Sequence, residues 1–188
     1  MKDSRIVHVL LNDRFADWEP AFLLVELARQ GWQIVTVGVE RREIRSMGGL
    51  VVVTDVTIAD VDPATVRTLL VIGSPLWEQG EVSAVTRFLR EVTGAVVAAI
   101  CGGTLAVAHG GLLAGRRYTS NEPGFVGTHV TGALGTYVDA PAVRDGRVIT
   151  AGGFAHIEYA AEVLVAIGAL PEAEKAGWVG WLRTGAAA

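Results

Sequence analysis

Ala95-Val96-Val97-Ala98-Ala99-Ile100-Cys101-Gly102-Gly103-Thr104-Leu105-Ala106-Val107-Ala108 is the stretch on which the fold of this chain turns. Its first half is an unbroken run of small and β-branched apolar residues, the pattern of a strand buried on both faces. Its second half is rich in alanine and leucine, which favours helix. Between them stands Cys101, the single cysteine of the chain, followed at once by two glycines. A strand that becomes a helix within two residues needs a sharp turn, and glycine tolerates the backbone angles and crowding involved. The plan is that of a nucleophile elbow built around sulfur. It places Cys101 at the carboxyl end of a strand with the next helix aiming its amino terminus at the sulfur, where about half a positive charge favours the thiolate. Cysteines so placed titrate anywhere from ~3.5 to ~7.5 instead of near ~8.5. A lone cysteine in an apolar run is more often a small buried hydrophobe; here the strand, glycine pair and helix together mark it as reactive.

Outward from the elbow, the chain alternates between strand and helix patterns. Ile6 to Leu11 reads as a first strand, with His8 packed inside it, and Trp32 to Val39 as a second. Between them Trp18, Ala21, Phe22, Val25 and Ala28 fall on one stripe of a helix. Pro20 suits its first turn and Gly31 its end. Ile44 to Val56, broken at Met47-Gly48-Gly49, reads as a pair of strands or a hairpin outside the main sheet. Leu69 to Ile72 repeats the buried strand and runs into the loop Gly73-Ser74-Pro75. Ser83 to Val92 is a helix, Arg116 to Ser120 a short strand, and Pro123 opens another helix. Thr136-Tyr137-Val138 and Val148-Ile149-Thr150 flank Asp145-Gly146, a hairpin signal. Ala155 to Ile167 and Pro171 to about Leu182 are the last helices. Such alternation implies an α/β sandwich around a mostly parallel sheet. Ligands in such sheets sit at the carboxyl ends of the strands, so three loops should meet: Phe15 to Glu19, Gly73 to Trp77 and Cys101 to Gly103.

Composition narrows the classes. The 188 residues, 51% hydrophobic and 19% charged, fit residues 1–188 as a single domain with a sizeable core. A net charge of −4 and the absence of a basic cluster argue against nucleic acid; Arg41-Arg42 with Arg45 is interrupted by Glu43 and reads as a solvated turn. No apolar stretch approaches membrane-spanning length. The opening residues lead into a short apolar run without a signal-peptide pattern, and the lone cysteine suits a reducing compartment. The expectation is cytoplasmic, without membrane partners. No metal is expected, since the histidines and the cysteine lack ligand spacing. No nucleotide cofactor is expected, since no glycine-rich phosphate loop appears.

Glu19 opens the first helix. A first-turn glutamate is ordinarily a solvated partner of the helix dipole; the functional reading turns it toward Cys101, where a protonated carboxyl would donate to a thiolate or shuttle a proton. Backbone N–H groups of Gly73, Ser74 and Gly102 would form an oxyanion hole, each donor contributing ~2.7–4 kcal/mol. Trp18 and Trp77 are candidate walls of an apolar pocket. His109, beside Gly110-Gly111, is a cation at a helix carboxyl end.

Phe15-Ala16-Asp17-Trp18-Glu19, Ala99-Ile100-Cys101-Gly102-Gly103 and Val148-Ile149-Thr150-Ala151-Gly152-Gly153 resemble the ThiJ/PfpI superfamily. That is the class I glutamine amidotransferase-like fold, which includes the parkinsonism-associated deglycase, PfpI proteases and isonitrile hydratases. The resemblance runs from Ile6 to about Leu170. It implies a flavodoxin-like three-layer α/β/α core, a homodimer, Cys101 as nucleophile with Glu19 as its partner, no cofactor, and links to stress responses. The chain departs from the pattern at Gly102, where PfpI-type proteases carry histidine, and at Asn121, where the deglycase branch does. His129 in Gly127-Thr128-His129 is one substitute; His156 with Glu158, similar to the His-x-Glu pair of amidotransferases, is another. The function expected is a cysteine-dependent hydrolase or hydratase acting on a small electrophile. The alternatives are a glyoxalase or deglycase acting on 2-oxoaldehydes, and a sensor whose cysteine oxidises without turnover.

Overall fold

The computed structural model describes residues 5–40, 42–80, 82–132 and 134–185. The opening residues Met1 to Ser4 and Arg41, read above, lie outside the described residues, as does the Ala186-Ala187-Ala188 tail, the one biased segment of the sequence.

Alternation of buried strands with helices produces the expected sandwich. The strands are β1 (Ile6–Leu11), β2 (Gln33–Gly38), β3 (Glu43–Arg45), β4 (Val51–Val53), β5 (Val56–Thr57), β6 (Thr68–Val71), β7 (Val96–Ile100), β8 (Arg117–Tyr118), β9 (Thr136–Tyr137), β10 (Ala142–Asp145) and β11 (Val148–Ala151). The helices are α1 (Trp18–Arg29), α2 (Ser83–Glu91), α3 (Gly103–His109), α4 (Phe125–His129), α5 (His156–Ala166) and α6 (Lys175–Thr184). Seven strands form the main sheet in the order β10-β11-β7-β6-β1-β2-β5, all parallel except β10. Register sets β6 beside β7 with Leu70 opposite Ala98, and β7 beside β11 with Ala99 opposite Thr150.

Period-two alternation sorts the central strands between two cores. Leu69, Val71, Val97 and Ala99 face one side with Leu105, Phe88 and Leu89. Leu70, Ile72, Ala98 and Ile100 face the other with Leu23, Leu27, Tyr159 and Leu164. Helices α2 and α3 therefore cover one face, and α1 and α5 the other. This is the flavodoxin-like three-layer α/β/α arrangement expected, with β3 and β4 as a separate antiparallel hairpin turning at Met47-Gly48-Gly49.

Several elements correct the sequence reading. The buried face of α1 carries Glu19, Pro20, Leu23 and Leu27, while Trp18, Phe22 and Val25 are exposed. The helix has two apolar stripes, and the leucine-rich one wins the sheet. The Asp145-Gly146 turn joins β10 to β11, not Thr136 to Val148; Thr136–Tyr137 pairs in parallel with β8 instead. After Pro123 only the short α4 forms. The last helix starts at Lys175, after a 3-10 turn over Glu172–Glu174.

Candidate active site

At the elbow the left-handed backbone falls on the cysteine itself: Cys101 has φ +55. A non-glycine residue there is uncommon and costs strain that the surroundings must hold. Its N–H donates to the Ala151 carbonyl of β11 at 3.0 Å, which pins the turn. The two glycines serve proximity rather than unusual angles. A Cβ on Gly102 would lie 2.8 Å from the Ser74 carbonyl oxygen, and one on Gly103 would lie 2.4 Å from that of Val71. Only hydrogen lets α3 approach the end of β6 so closely.

The three loops meet as expected. The Ala16 N–H donates to the Gly73 carbonyl at 2.9 Å, tying the loop before α1 to the loop after β6. Glu19 shares its helix face with Leu23 and Leu27, so it enters the interior with them and is only 1% exposed. Its Oε2 accepts the Gly73 N–H at 2.6 Å. Oε1 is buried without a conventional hydrogen-bond partner and is left to the Cys101 sulfur, with which the carboxyl titrates as a pair. Burial pushes Glu19 up to about 8, against the opposing pull of the Gly73 N–H and of Cys101. Burial therefore favours the neutral carboxyl near neutral pH.

The sequence reading expects the helix amino terminus to draw the thiol down. Burial does the reverse, and with the Glu19 charge it pushes Cys101 up to about 11, opposed by Asn121 and the Gly102 N–H. The charge contribution acts only while Glu19 is ionised; a neutral Glu19 removes it. Asn121 donates from Nδ2 to Sγ at 3.5 Å, and its Oδ1 accepts the Gly153 N–H at 3.0 Å. That second bond fixes the amide with its donor toward sulfur. Gly153 closes the other side, since a Cβ there would stand 2.9 Å from Sγ.

A cavity of about 570 Å³ opens on the sulfur, lined among others by Trp18, Asn121, Tyr137, Asp139, Phe154, Glu158 and Arg183. Trp18 occupies the wall expected of it and donates from Nε1 to the Gly153 carbonyl at 2.9 Å. Trp77 does not line this cavity: it is 2% exposed and packs in the core with Nε1 on the Ile72 carbonyl. The Gly73 N–H is committed to Glu19 rather than presented to a substrate. Ser74 is buried, its hydroxyl accepting from the Leu76 N–H and donating to the Asp13 carbonyl. Of the three expected oxyanion donors, only the Gly102 N–H is directed at the sulfur. The late pair splits. His156 stacks on Phe22 at 5.7 Å and does not border the cavity, whereas Glu158 does, paired there with Arg183. His129 is exposed and tied to the Phe125 carbonyl, away from the cavity.

The sequence reading missed Phe154, Tyr137, Asp139 and Arg183. Gly152-Gly153-Phe154 at the end of β11 carried a signal, since loops at the carboxyl ends of parallel strands build such sites; the other three arrive through long-range contacts. Among the described residues no group of three or more His, Cys, Asp or Glu side chains is placed to hold a metal ion, and no helix is long and apolar enough to cross a membrane.

The model of the DJ-1/PfpI family matches residues 5–166. The chain is 29% identical over 173 residues to "Uncharacterized protease YoaZ" of Bacillus subtilis, covering 86% of this chain and 82% of that protein. It is 28% identical over 148 residues to "Deglycase TK1284" of Thermococcus kodakarensis, covering 77% and 87% respectively. The crystal structure of the DJ-1 superfamily protein Atu0886 from Agrobacterium tumefaciens superposes with a TM-score of 0.85 at 29% identity, over 96% of this chain and 99% of that one.

Proposed function

Because the chain belongs to the DJ-1/PfpI family, we propose that Cys101 and Glu19 carry out cofactor-independent hydrolysis or hydration at an electrophilic carbon of a small molecule. The observation that carries this reading is the Glu19 carboxyl, buried and held neutral beside the sulfur. In the reacting form Glu19 keeps its proton and Cys101 is the thiolate, a minority form under burial that Asn121 Nδ2 and the Gly102 N–H stabilise by donating to sulfur. The thiolate forms a bond to the carbonyl, imidate or isonitrile carbon as a π bond opens. On an isonitrile the pair stays on the attacked carbon, which takes the Glu19 proton to give a thioimidate. On an amide or imidate it goes to oxygen or nitrogen and returns as the carbon–nitrogen or carbon–oxygen bond breaks. The leaving amine or alcohol carries off the Glu19 proton and leaves a thioester or thioimidate. Glu19 is too buried to reach farther than the sulfur and an atom bound beside it. Water then adds to the thioester or thioimidate, giving its proton to the Glu19 carboxylate. The carbon–sulfur bond breaks and the pair is restored. The Gly102 N–H is the donor to developing negative charge.

The test is turnover of isonitriles, amides and 2-oxoaldehydes by the purified chain and by Cys101→Ser. The reading expects turnover of an isonitrile or amide, with at least a thousandfold loss in Cys101→Ser. Turnover surviving that change rejects it. A second reading, glyoxalase or deglycase activity on 2-oxoaldehydes, is supported by the 28% identity to the Thermococcus deglycase; it uses the same pair and wins if 2-oxoaldehydes are the fastest substrates. No turnover at all, with peroxide converting Cys101 to sulfinic acid, makes the chain a sensor.

A further inference from the structure

Trp18 directly precedes Glu19 and Phe154 directly follows Gly153, so each loop that positions the reactive pair also carries an aromatic ring. The rings stack with centroids 6.4 Å apart and planes 11° apart. The bond from Trp18 Nε1 to the Gly153 carbonyl, at 2.9 Å, holds the stack against the glycine that packs on the sulfur. Yet Phe154 is 92% exposed and Trp18 39%. An ordered, stacked pair beside the nucleophile therefore offers an uncovered apolar face.

We propose that Trp18 and Phe154 form a shelf for an aryl or bulky apolar group of the substrate that Cys101 attacks. The inference rests on the catalytic reading above and names its substrate class. Three further observations favour a small-molecule occupant. Both rings line the same cavity as Cys101, continuous with Tyr137, Ala140 and Pro141. That cavity, about 570 Å³, lies within the range of pockets that enclose drug-sized ligands, and a three-carbon aldehyde fills little of it. Its charged lining is two carboxylates, Asp139 and Glu158, with one guanidinium, Arg183, already paired to Glu158. A cavity so lined disfavours a carboxylate on the substrate and suits an uncharged one.

The shelf is read by alkylating Cys101 in the full chain with iodoacetamide and with N-benzyl iodoacetamide. In each reaction sulfur displaces iodide and the thiol proton leaves to buffer. The measured quantity is the ratio of benzyl to plain rates, divided by the same ratio for N-acetylcysteine. The expected ratio is tenfold or more in the native chain, falling to within twofold of unity in Phe154→Ala. Trp18→Phe, which keeps a ring and loses the Nε1 bond, should fall between them. A ratio near unity in the native chain overturns the proposal. So does a ratio unchanged in Phe154→Ala, including the case where that change instead dissociates a dimer sealed by Phe154. Alkylation needs no turnover, so a chain that prefers the benzyl reagent but turns over nothing sinks the catalytic reading and leaves the shelf standing.

Discussion

Gly73 does for Glu19 what Gly153 does for Cys101: each lets a backbone come closer to a reactive side chain than any Cβ would permit. On Gly73 a Cβ would lie 2.6 and 2.7 Å from the two Glu19 oxygens and 2.8 Å from the Cys101 Cβ. The backbone on one side cannot yield without breaking the 2.6 Å bond from Gly73 N–H to Glu19. Gly73→Ala is therefore expected to cost about 1–3 kcal/mol, the usual range for overpacking, measured by urea denaturation; a change within error refutes the crowding. Glu19 also sets a pH dependence. Its pKa rises from an ordinary 4.5 to about 8 on folding, so the folded state holds a proton that the unfolded chain releases. The associated stability is present below pH 4.5 and drains away as the pH rises toward 8, on the order of 5 kcal/mol at ~1.4 kcal/mol per unit. Denaturation curves from pH 4.5 to 8 should show the native chain losing that stability relative to Glu19→Gln. Parallel pH profiles would contradict a buried, protonated Glu19.

At the scale of elements, legibility followed how local the information was. The elbow was readable because strand, cysteine, glycine pair and helix are consecutive, and each constraint acts within a few residues. The face of α1 was not, because Trp18-Phe22-Val25 and Leu23-Leu27 both satisfy a helical period and only packing against the sheet chooses between them. That choice carries Glu19 inside. β10 escaped because Ala142-Val143-Arg144-Asp145 is a short edge strand bearing two charges. The direction of the Cys101 shift escaped because helix position is written in the sequence and burial is not. α5 shows the consequence for chemistry. His156 and Glu158 diverge at its start: the imidazole stacks on Phe22 while the carboxylate faces the cavity. His156→Ala should therefore cost less than tenfold in any activity that depends on Cys101, under ~1.4 kcal/mol. A thousandfold loss, or ammonia released from glutamine, would restore an amidotransferase triad.

Across the whole molecule, the parallel sheet gathers the loops after β1, β6, β7 and β11 at one edge, and the reactive pair exists only because of that gathering. Several apolar side chains stay uncovered elsewhere: Phe22 and Val25 on α1, and Leu50, Val51 and Val53 on the hairpin. We propose that a second copy covers part of this surface. Sedimentation should give twice the 19.8 kDa chain mass, and Val25→Glu or Val53→Glu should yield the single mass; a native monomer contradicts the dimer. The central claim is that desolvation of the buried pair holds the proton on Glu19 and raises the Cys101 thiol, so that the thiolate is the minority form that reacts. It is tested most directly by the pH midpoint of iodoacetamide alkylation of Cys101 in the native chain and in Glu19→Gln, whose neutral amide still donates. Burial and the Glu19 charge together predict a native midpoint above the ~8.5 of a free cysteine, falling in Glu19→Gln as that charge is removed. A native midpoint at or below that of free cysteine, or one unmoved by the substitution, would contradict it.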